Sequence, residues 1–299
     1  MTMVITGFRT VAPGTAAPGG GAEPGADWFD VKTALPGRGY KRLPRACQYL
    51  LAAAREAIAG AGDPLAGADP TRRAAVVGTN NAGARLLEEL DRTIIDGHAG
   101  EMSPITAPFM AMSSFASRLS TEHAIKGFNL TTNSPRTAGL DAIGIAARAL
   151  RAGRADVFVV GATEDDPPED QRAGAADVGA AVLVCESAEA AAARGATVYG
   201  ECRVRSFFLD PADPDTSVLA GSTCTDAVLD DSPVGRAVRA WAGRPREHRV
   251  EVDSGCFTPV RVLVDLLAAG GDGSRPRTLV TASAEGTVAL VELVAPNPR

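Results

Sequence analysis

The stretch FNLTTNSPRTAGLDAIGIAARALRAGRADVFVVGATE, Phe128 to Glu164, decides the fold. It reads as a strand, a tight turn, a long amphipathic helix and a second strand, because apolar residues recur at helical spacing between two β-rich runs. Pro135 suits a first helical turn. The turn is built like a nucleophile elbow: a residue set between a strand and the start of a helix gains from the helix dipole and from free N–H groups that hold an oxyanion. Arg136 occupies that position. A guanidinium is a permanent cation that attacks nothing, and a positive charge at a helix N-terminus costs about 0.3–1 kcal/mol when exposed.

Working outward, MVITGF is a β-rich run, and PGTAAPGGGAEPGA after it reads as a flexible loop, poor in residues that bury surface. LPRACQYLLAAAREAIAG, residues 43–60, predicts a helix stopped by Gly60, Gly62 and Pro64. RRAAVVGTNNAG predicts a buried strand entering a polar turn, with helices at ARLLEELDRTIIDG and APFMAMSSFASRLSTEHAI. After residue 164 the pattern gives strand GAAVLVCES, helix AEAAAARG, strand ATVYGECRVRSF, a polar stretch over residues 210–233, helix VGRAVRAWAG, strand HRVEVDSG, helix TPVRVLVDLLAAG, and two strands joined at Glu285 and Gly286. This alternation predicts an α/β protein with helices covering its sheets.

Composition narrows the function. With 299 residues, 45% of them hydrophobic, the chain can bury a large core, and a net charge of -6 gives no footprint for a nucleic-acid backbone. The N-terminus lacks signal-peptide features and no run reaches the roughly 18 apolar residues of a membrane span, so the expectation is a cytoplasmic protein without a membrane partner. Cys47, Cys185, Cys202, Cys224 and Cys256 are scattered, without a CxxC pair, which argues against disulfides and a zinc site. GTNNAG lacks the glycine spacing and lysine of a nucleotide loop, and neither cofactor nor metal is expected. Glu164, Asp165, Asp166, Glu169 and Asp170 read as a solvated acidic loop, since Pro167 and Pro168 break any calcium-loop spacing.

The order of elements resembles the β-ketoacyl synthases of the thiolase superfamily over nearly the whole chain. VITGFRTVAP is similar to their opening strand and turn, KRLPRACQYLLAAAREAIAGAG to their first helix, and SPITAPFMAMSSFAS to the segment lining their acyl pocket. GLDAIGIAARALRAGRADVFVVGATE is the most specific match, and GAAVLVCESAEAAAARGATVYGE fits the following strand, helix and strand. The resemblance implies a layered αβαβα thiolase-like fold with a shortened second half: an N-terminal half over 1–205, its elbow turn around 134–139, and a reduced C-terminal half over 206–299. Carried over position by position, the family's chemistry is missing. Its nucleophilic cysteine falls on Arg136, its lysine on Glu251, one histidine on Cys256 and the other on Gly221 of GSTCT. His98, His123 and His248 fall on none of these positions.

The resemblance therefore implies a subunit without condensation activity, like the chain-length factors of type II polyketide synthases, paired as a heterodimer with an active ketosynthase in polyketide or fatty-acid-like biosynthesis. Asn129, Thr131 and Asn133 would lie on the strand that pairs across the dimer axis, and Phe109, Met110, Met112 and Phe115 near the acyl tunnel. Arg136 admits several readings: a plug in that tunnel, an ion pair across the interface, a carboxylate binder, or a buried space-filler. Arg38, Lys41, Arg42 and Arg45 form a basic cluster suited to the acidic surface of an acyl carrier protein, or are simply a solvated face. Two other functions stay open: an acyltransferase or thioesterase using Cys224 or Cys256, and a homodimeric acyl-binding protein.

Overall fold

The computed structural model describes residues 2–15, 28–104, 107–167, 177–250, 254–270 and 276–295. Glu251, Glu169, Asp170, Pro168 and much of the glycine-rich segment after β1 lie outside them. The elements run β1 (Met3–Val11), α1 (Val31–Ala34), α2 (Arg45–Gly60), α3 (Pro64–Gly67), β2 (Arg73–Thr79), α4 (Ala84–Asp96), α5 (Ser113–Glu122), β3 (Asn129–Asn133), α6 (Ala138–Arg151), β4 (Val157–Glu164) and β5 (Gly179–Ser187). They continue with α7 (Ala188–Ala193), β6 (Gly200–Phe208), β7 (Asp226–Leu229), α8 (Pro233–Ala242), β8 (Arg246–Arg249), α9 (Phe257–Ala268), β9 (Arg277–Ala282) and β10 (Thr287–Val294).

The ten strands hydrogen-bond in the order β3-β2-β4-β5-β1-β6-β10-β9-β7-β8. Read from each end, the order is the same: an edge strand, two parallel neighbours, then two antiparallel strands. Within the sheet, β1 and β6 pair the halves through Val4 opposite Glu201 and Ile5 opposite Gly200. Position 205, where the resemblance divides the chain, lies within β6.

Strand alternation sorts the core into layers. Ile5, Val76, Val160 and Leu183 from the first half, and Val228, Leu279, Ala289 and Val291 from the second, face a central layer made by α6 and α9. The alternate residues Val77, Val159 and Val182 pack outward under α2 and α5, and Ala227, Val280 and Leu290 under α8. This is the αβαβα stack. β4 and β5 are buried along their whole length, which is why they read as continuous apolar runs. At the β1 bulge, a Cβ on Gly7 would lie 2.5 Å from the Ala57 carbonyl oxygen, so glycine is what lets α2 approach.

The two halves differ in the helix described after their first strand. Between β1 and β2 stands the 16-residue helix α2, whereas the helical structure described between β6 and β7 is a single 3-10 turn, Thr216–Leu219. The outer face of β6 answers with charge: Arg203 pairs with Glu201 at 2.8 Å and Arg205 with Glu292 at 3.4 Å.

Three local expectations are corrected. Residues 107–125 form a 3-10 turn, Ala107–Met110, and then α5, with the Ser114 hydroxyl bonded to the Pro108 carbonyl across the break. The strand expected at HRVEVDSG ends at Arg249. β7 arises inside the stretch read as polar, because four residues are too few for periodicity to register. No described helix is long and apolar enough to cross a membrane.

Candidate functional site

The elbow is real as backbone geometry. Arg136 has φ 62, a left-handed conformation that costs a non-glycine residue on the order of 1–3 kcal/mol unless its surroundings fix it. They do so through several bonds. Thr137 N–H bonds back to the Pro135 carbonyl at 2.6 Å, and the Ser134 and Thr137 hydroxyls meet at 2.7 Å. Thr132 donates its hydroxyl to the Ala138 carbonyl at 3.0 Å.

The Arg136 side chain is 1% exposed and turns into the second half of the same chain, where Nη2 donates to Asp230 Oδ2 at 3.1 Å. Burial works against its charge; the carboxylates of Asp230, Asp177 and Glu285 work for it. Asp230 is as buried, and its Oδ1 accepts from Ser232 N–H at 2.9 Å. Ser232 in turn caps α8 through Gly235 N–H, with Pro233 at the first helical position. Of the readings open for Arg136, the ion pair described here is internal to the chain, because Asp230 comes to it from the end of β7.

Cys256 stands at the place in the second half that Arg136 holds in the first, just ahead of the helix leading to the third parallel strand. The two helix starts meet. A Cβ on Gly139 would sit 2.4 Å from Val260 Cγ2 and 3.0 Å from the Cys256 carbonyl oxygen, so only glycine fits there. The Cys256 N–H donates to Glu164 Oε1 at 2.9 Å, and Asp177 accepts from Phe257 N–H at 3.1 Å and from Thr258 N–H. Two carboxyls of the first half therefore satisfy the free N–H groups at the start of α9.

Glu164 and Asp165, expected in a solvated loop, are buried, a further correction. Glu164 also accepts from Asn80 N–H at 2.6 Å and Asn81 N–H at 2.7 Å, in the turn after β2. Burial pushes its carboxyl up to about 7, with help from Asp177 and against the N–H donors. Burial likewise lifts Asp165 to about 6. The Cys256 thiol is pushed well above its ordinary value by burial and then by Glu164. Cys224 is only half-buried, yet burial and Asp226 push it to about 12. Neither thiol ionises near neutrality, the condition for nucleophilic attack.

Gly221 does not reach the site. It lies on an exposed turn with φ 78 and open space around it; the residue brought to the elbow from this part of the chain is Asp230. The signal that marks Asp230 is DDSP, a capping sequence placed directly after a short apolar run. Phe109 and Phe115 are core residues, packed edge to face with centroids 5.9 Å apart, while Met110 is 48% exposed and Met112 half-buried. Met112 packs against the core cluster that contains Phe109 and Phe115. Asn129, Thr131 and Asn133 lie on β3, at one end of the sheet, where Leu130 is 37% exposed. Among the described residues, no three or more His, Cys, Asp or Glu side chains gather as a metal would need.

Two mirrored half-sheets with buried helix starts meeting between them define the thiolase-like class of α/β proteins. Residues 9–202, more than half of the chain, match the family model for the β-ketoacyl synthase N-terminal domain, and the chain belongs to that family. It is 32% identical over 213 residues to a putative polyketide β-ketoacyl synthase 1 of Streptomyces halstedii, covering 60% of this chain and 49% of that protein. It is 26% identical over 201 residues to 3-oxoacyl-(acyl-carrier-protein) synthase 2 of Synechocystis, covering 58% and 48%. The chain spans about half the length of these curated relatives. Among solved structures, the ishigamide ketosynthase/chain length factor superposes with TM-score 0.75 at 20% identity, covering 99% of both chains. A type II polyketide-synthase acyl-carrier protein in complex with its ketosynthase bound to the hexaketide gives 0.76 at 18%, again over 99% of both chains.

Proposed function

We propose that this chain is a non-catalytic ketosynthase-like subunit that pairs with an active ketosynthase in polyketide or fatty-acid-like biosynthesis. One observation carries the reading. The elbow, where this chemistry needs a thiolate, holds a guanidinium that is buried and ion-paired to Asp230 within the chain. A thioester carbonyl meets no nucleophile there, and Cys256 beside it is a neutral, fully buried thiol.

Pairing is supported by the open edge of β3, which leaves backbone groups and Leu130 available to another strand. A ketosynthase/chain length factor is among the structures that share this fold. A carrier protein is the second proposed partner. Lys32, Arg38, Lys41 and Arg42 line a cavity of about 510 Å³ before α2, a local cationic patch on a chain of net charge -6.

The test is co-expression with candidate ketosynthases followed by size-exclusion chromatography, with Leu130→Asp as the edge-strand variant. A stable complex that Leu130→Asp disrupts is the expected result. Recovery of a lone monomer sinks the reading, and a stable homodimer favours the acyl-binding alternative. Arg136→Cys is expected to show no condensation, since a thiol alone lacks the base and the oxyanion partner; measurable product would return the chain to the catalysts.

A further inference from the structure

Lys32, Arg38, Lys41 and Arg42 line the cavity before α2, and the chain gives these cations no carboxylate of their own. Among the described residues, Arg38, Lys41 and Arg42 form no ion pair. Asp30, the acid near Lys32, is already engaged by the Lys32 N–H and the Thr33 hydroxyl. Arginines elsewhere are matched: Arg72 meets Asp156 at 2.5 Å and Arg239 meets Glu247 at 2.7 Å. Like charges crowded on one short loop repel, and the loop spreads unless a group outside it holds it in place.

Residues 36–42 turn sharply. Gly37 and Gly39 have φ 146 and 96, the region that favours glycine, and a Cβ on Gly37 would come 3.2 Å from the Tyr40 ring. The 3-10 turn Tyr40–Arg42 closes with the Leu43 N–H donating to the Tyr40 carbonyl at 3.0 Å. Among the described residues, Tyr40 is the one member of 36–42 whose side chain hydrogen-bonds outside that stretch. Its hydroxyl donates to Glu122 Oε1, 82 positions away at the end of α5, and Arg118 Cζ lies 5.9 Å from the centre of its ring. Arg118 and Glu122 are themselves paired at 3.3 Å. α5 is a firm support: Phe115, Ala116 and Leu119 are buried, and Asn129 of β3 donates to the Ala116 carbonyl at 3.0 Å.

We infer that Tyr40 is the positioning residue of the cationic cavity: tied to Glu122 and Arg118 on α5, it holds residues 36–42 in the arrangement that gathers the four cations around an acidic partner. The inference rests on the carrier-protein reading of this cavity. Tyr40 brings no charge to the contact, and its anchor sets a carboxylate beside the cavity wall. Attraction and positioning therefore make opposite demands on Glu122. Removing that carboxylate leaves the cavity more positive, which by attraction alone tightens an acidic partner, yet it also removes the acceptor that fixes Tyr40.

The experiment is calorimetric titration of the full chain with a recombinant type II polyketide-synthase acyl carrier protein at several salt concentrations, comparing wild type, Tyr40→Phe, Glu122→Ala and Lys41→Gln. Tyr40→Phe is expected to weaken binding about 5-fold with the salt dependence of wild type, since the loop must then be ordered on binding. Lys41→Gln is expected to flatten the salt dependence, and Glu122→Ala to weaken binding although it removes a negative charge. Wild-type affinity in Tyr40→Phe, or tighter binding in Glu122→Ala, overturns the inference. A wild-type chain that binds no carrier protein sinks the carrier reading, and amide hydrogen exchange of residues 37–43 in the free chain then decides for Tyr40. Faster exchange in Tyr40→Phe than in wild type supports the anchor, and equal exchange overturns it.

Discussion

The two turns at the centre of the molecule, before α6 and before α9, occupy equivalent places in two half-sheets of the same strand order, yet they are filled in opposite ways. Arg136 brings a cation and a left-handed backbone to the start of α6, against the helix dipole. Cys256 brings a neutral thiol in an ordinary conformation, φ -99, and lets the Glu164 and Asp177 carboxyls accept the N–H groups at the start of α9. In each turn the balancing group comes from the other half of the chain: Asp230 answers Arg136, and Glu164 and Asp177 answer α9. The difference teaches that turns suited to holding a reacting group can equally well hold two halves together.

The largest expected effect breaks the first turn. Asp230→Ala leaves the Arg136 guanidinium buried without its main counter-charge and is expected to cost about 3–5 kcal/mol, read as a lowered urea midpoint. The double variant Arg136→Met, Asp230→Leu removes both charges and is expected to recover most of that loss. If the double variant is as unstable as Asp230→Ala, the pair is not a closed unit and other groups depend on the guanidinium.

A smaller effect separates the turn from the rest of its helix. Gly139→Ala would press a methyl against Val260 and the Cys256 carbonyl where α6 and α9 touch, and about 1–3 kcal/mol of destabilisation is expected. Gly144→Ala, further along the same helix, meets Val204 at 3.3 Å, and the gain in helix propensity, about 1 kcal/mol, offsets that contact. Its stability is expected to stay within about 1 kcal/mol of wild type. Equal losses in the two variants would mean that the tight approach is spread along α6 rather than confined to its start.

How much of this was legible beforehand follows from distance in sequence. The strand, turn, helix and strand of residues 128–164 could be read because each part is long enough for periodicity, and the elbow because its frame is contiguous. The family could be read from the same run. What Arg136 touches could not, since Asp230 lies 94 positions away after a four-residue strand that leaves no periodic trace. Glu164 and Asp165 looked solvated because acid followed by proline is a loop signal. The burial of Glu164 comes from α9 closing over the end of β4, a tertiary contact between segments 92 residues apart. Phe109 and Phe115 are apolar residues near a familiar segment, and whether such residues line a tunnel or fill a core is settled only by the helix packed above them.

The smallest expected effect concerns the thiols. Iodoacetamide at neutral pH with an acyl thioester present is expected to label half-buried Cys224 slowly and Cys256 only on unfolding, with no acyl transfer, because burial holds both sulfurs protonated. Mass spectrometry of peptides over time reads both rates. Cys256 has the neighbours a reactive thiol would use: a carboxyl, an N–H from the start of α6, and the equivalent of the elbow. What it lacks is a charge arrangement favouring thiolate, since Glu164 beside it raises rather than lowers the cost of ionisation. Rapid, single-site labelling of Cys256 in the folded chain would mean that the second turn carries a reactive thiol where the first carries a guanidinium, and the contrast between them would become a division of labour.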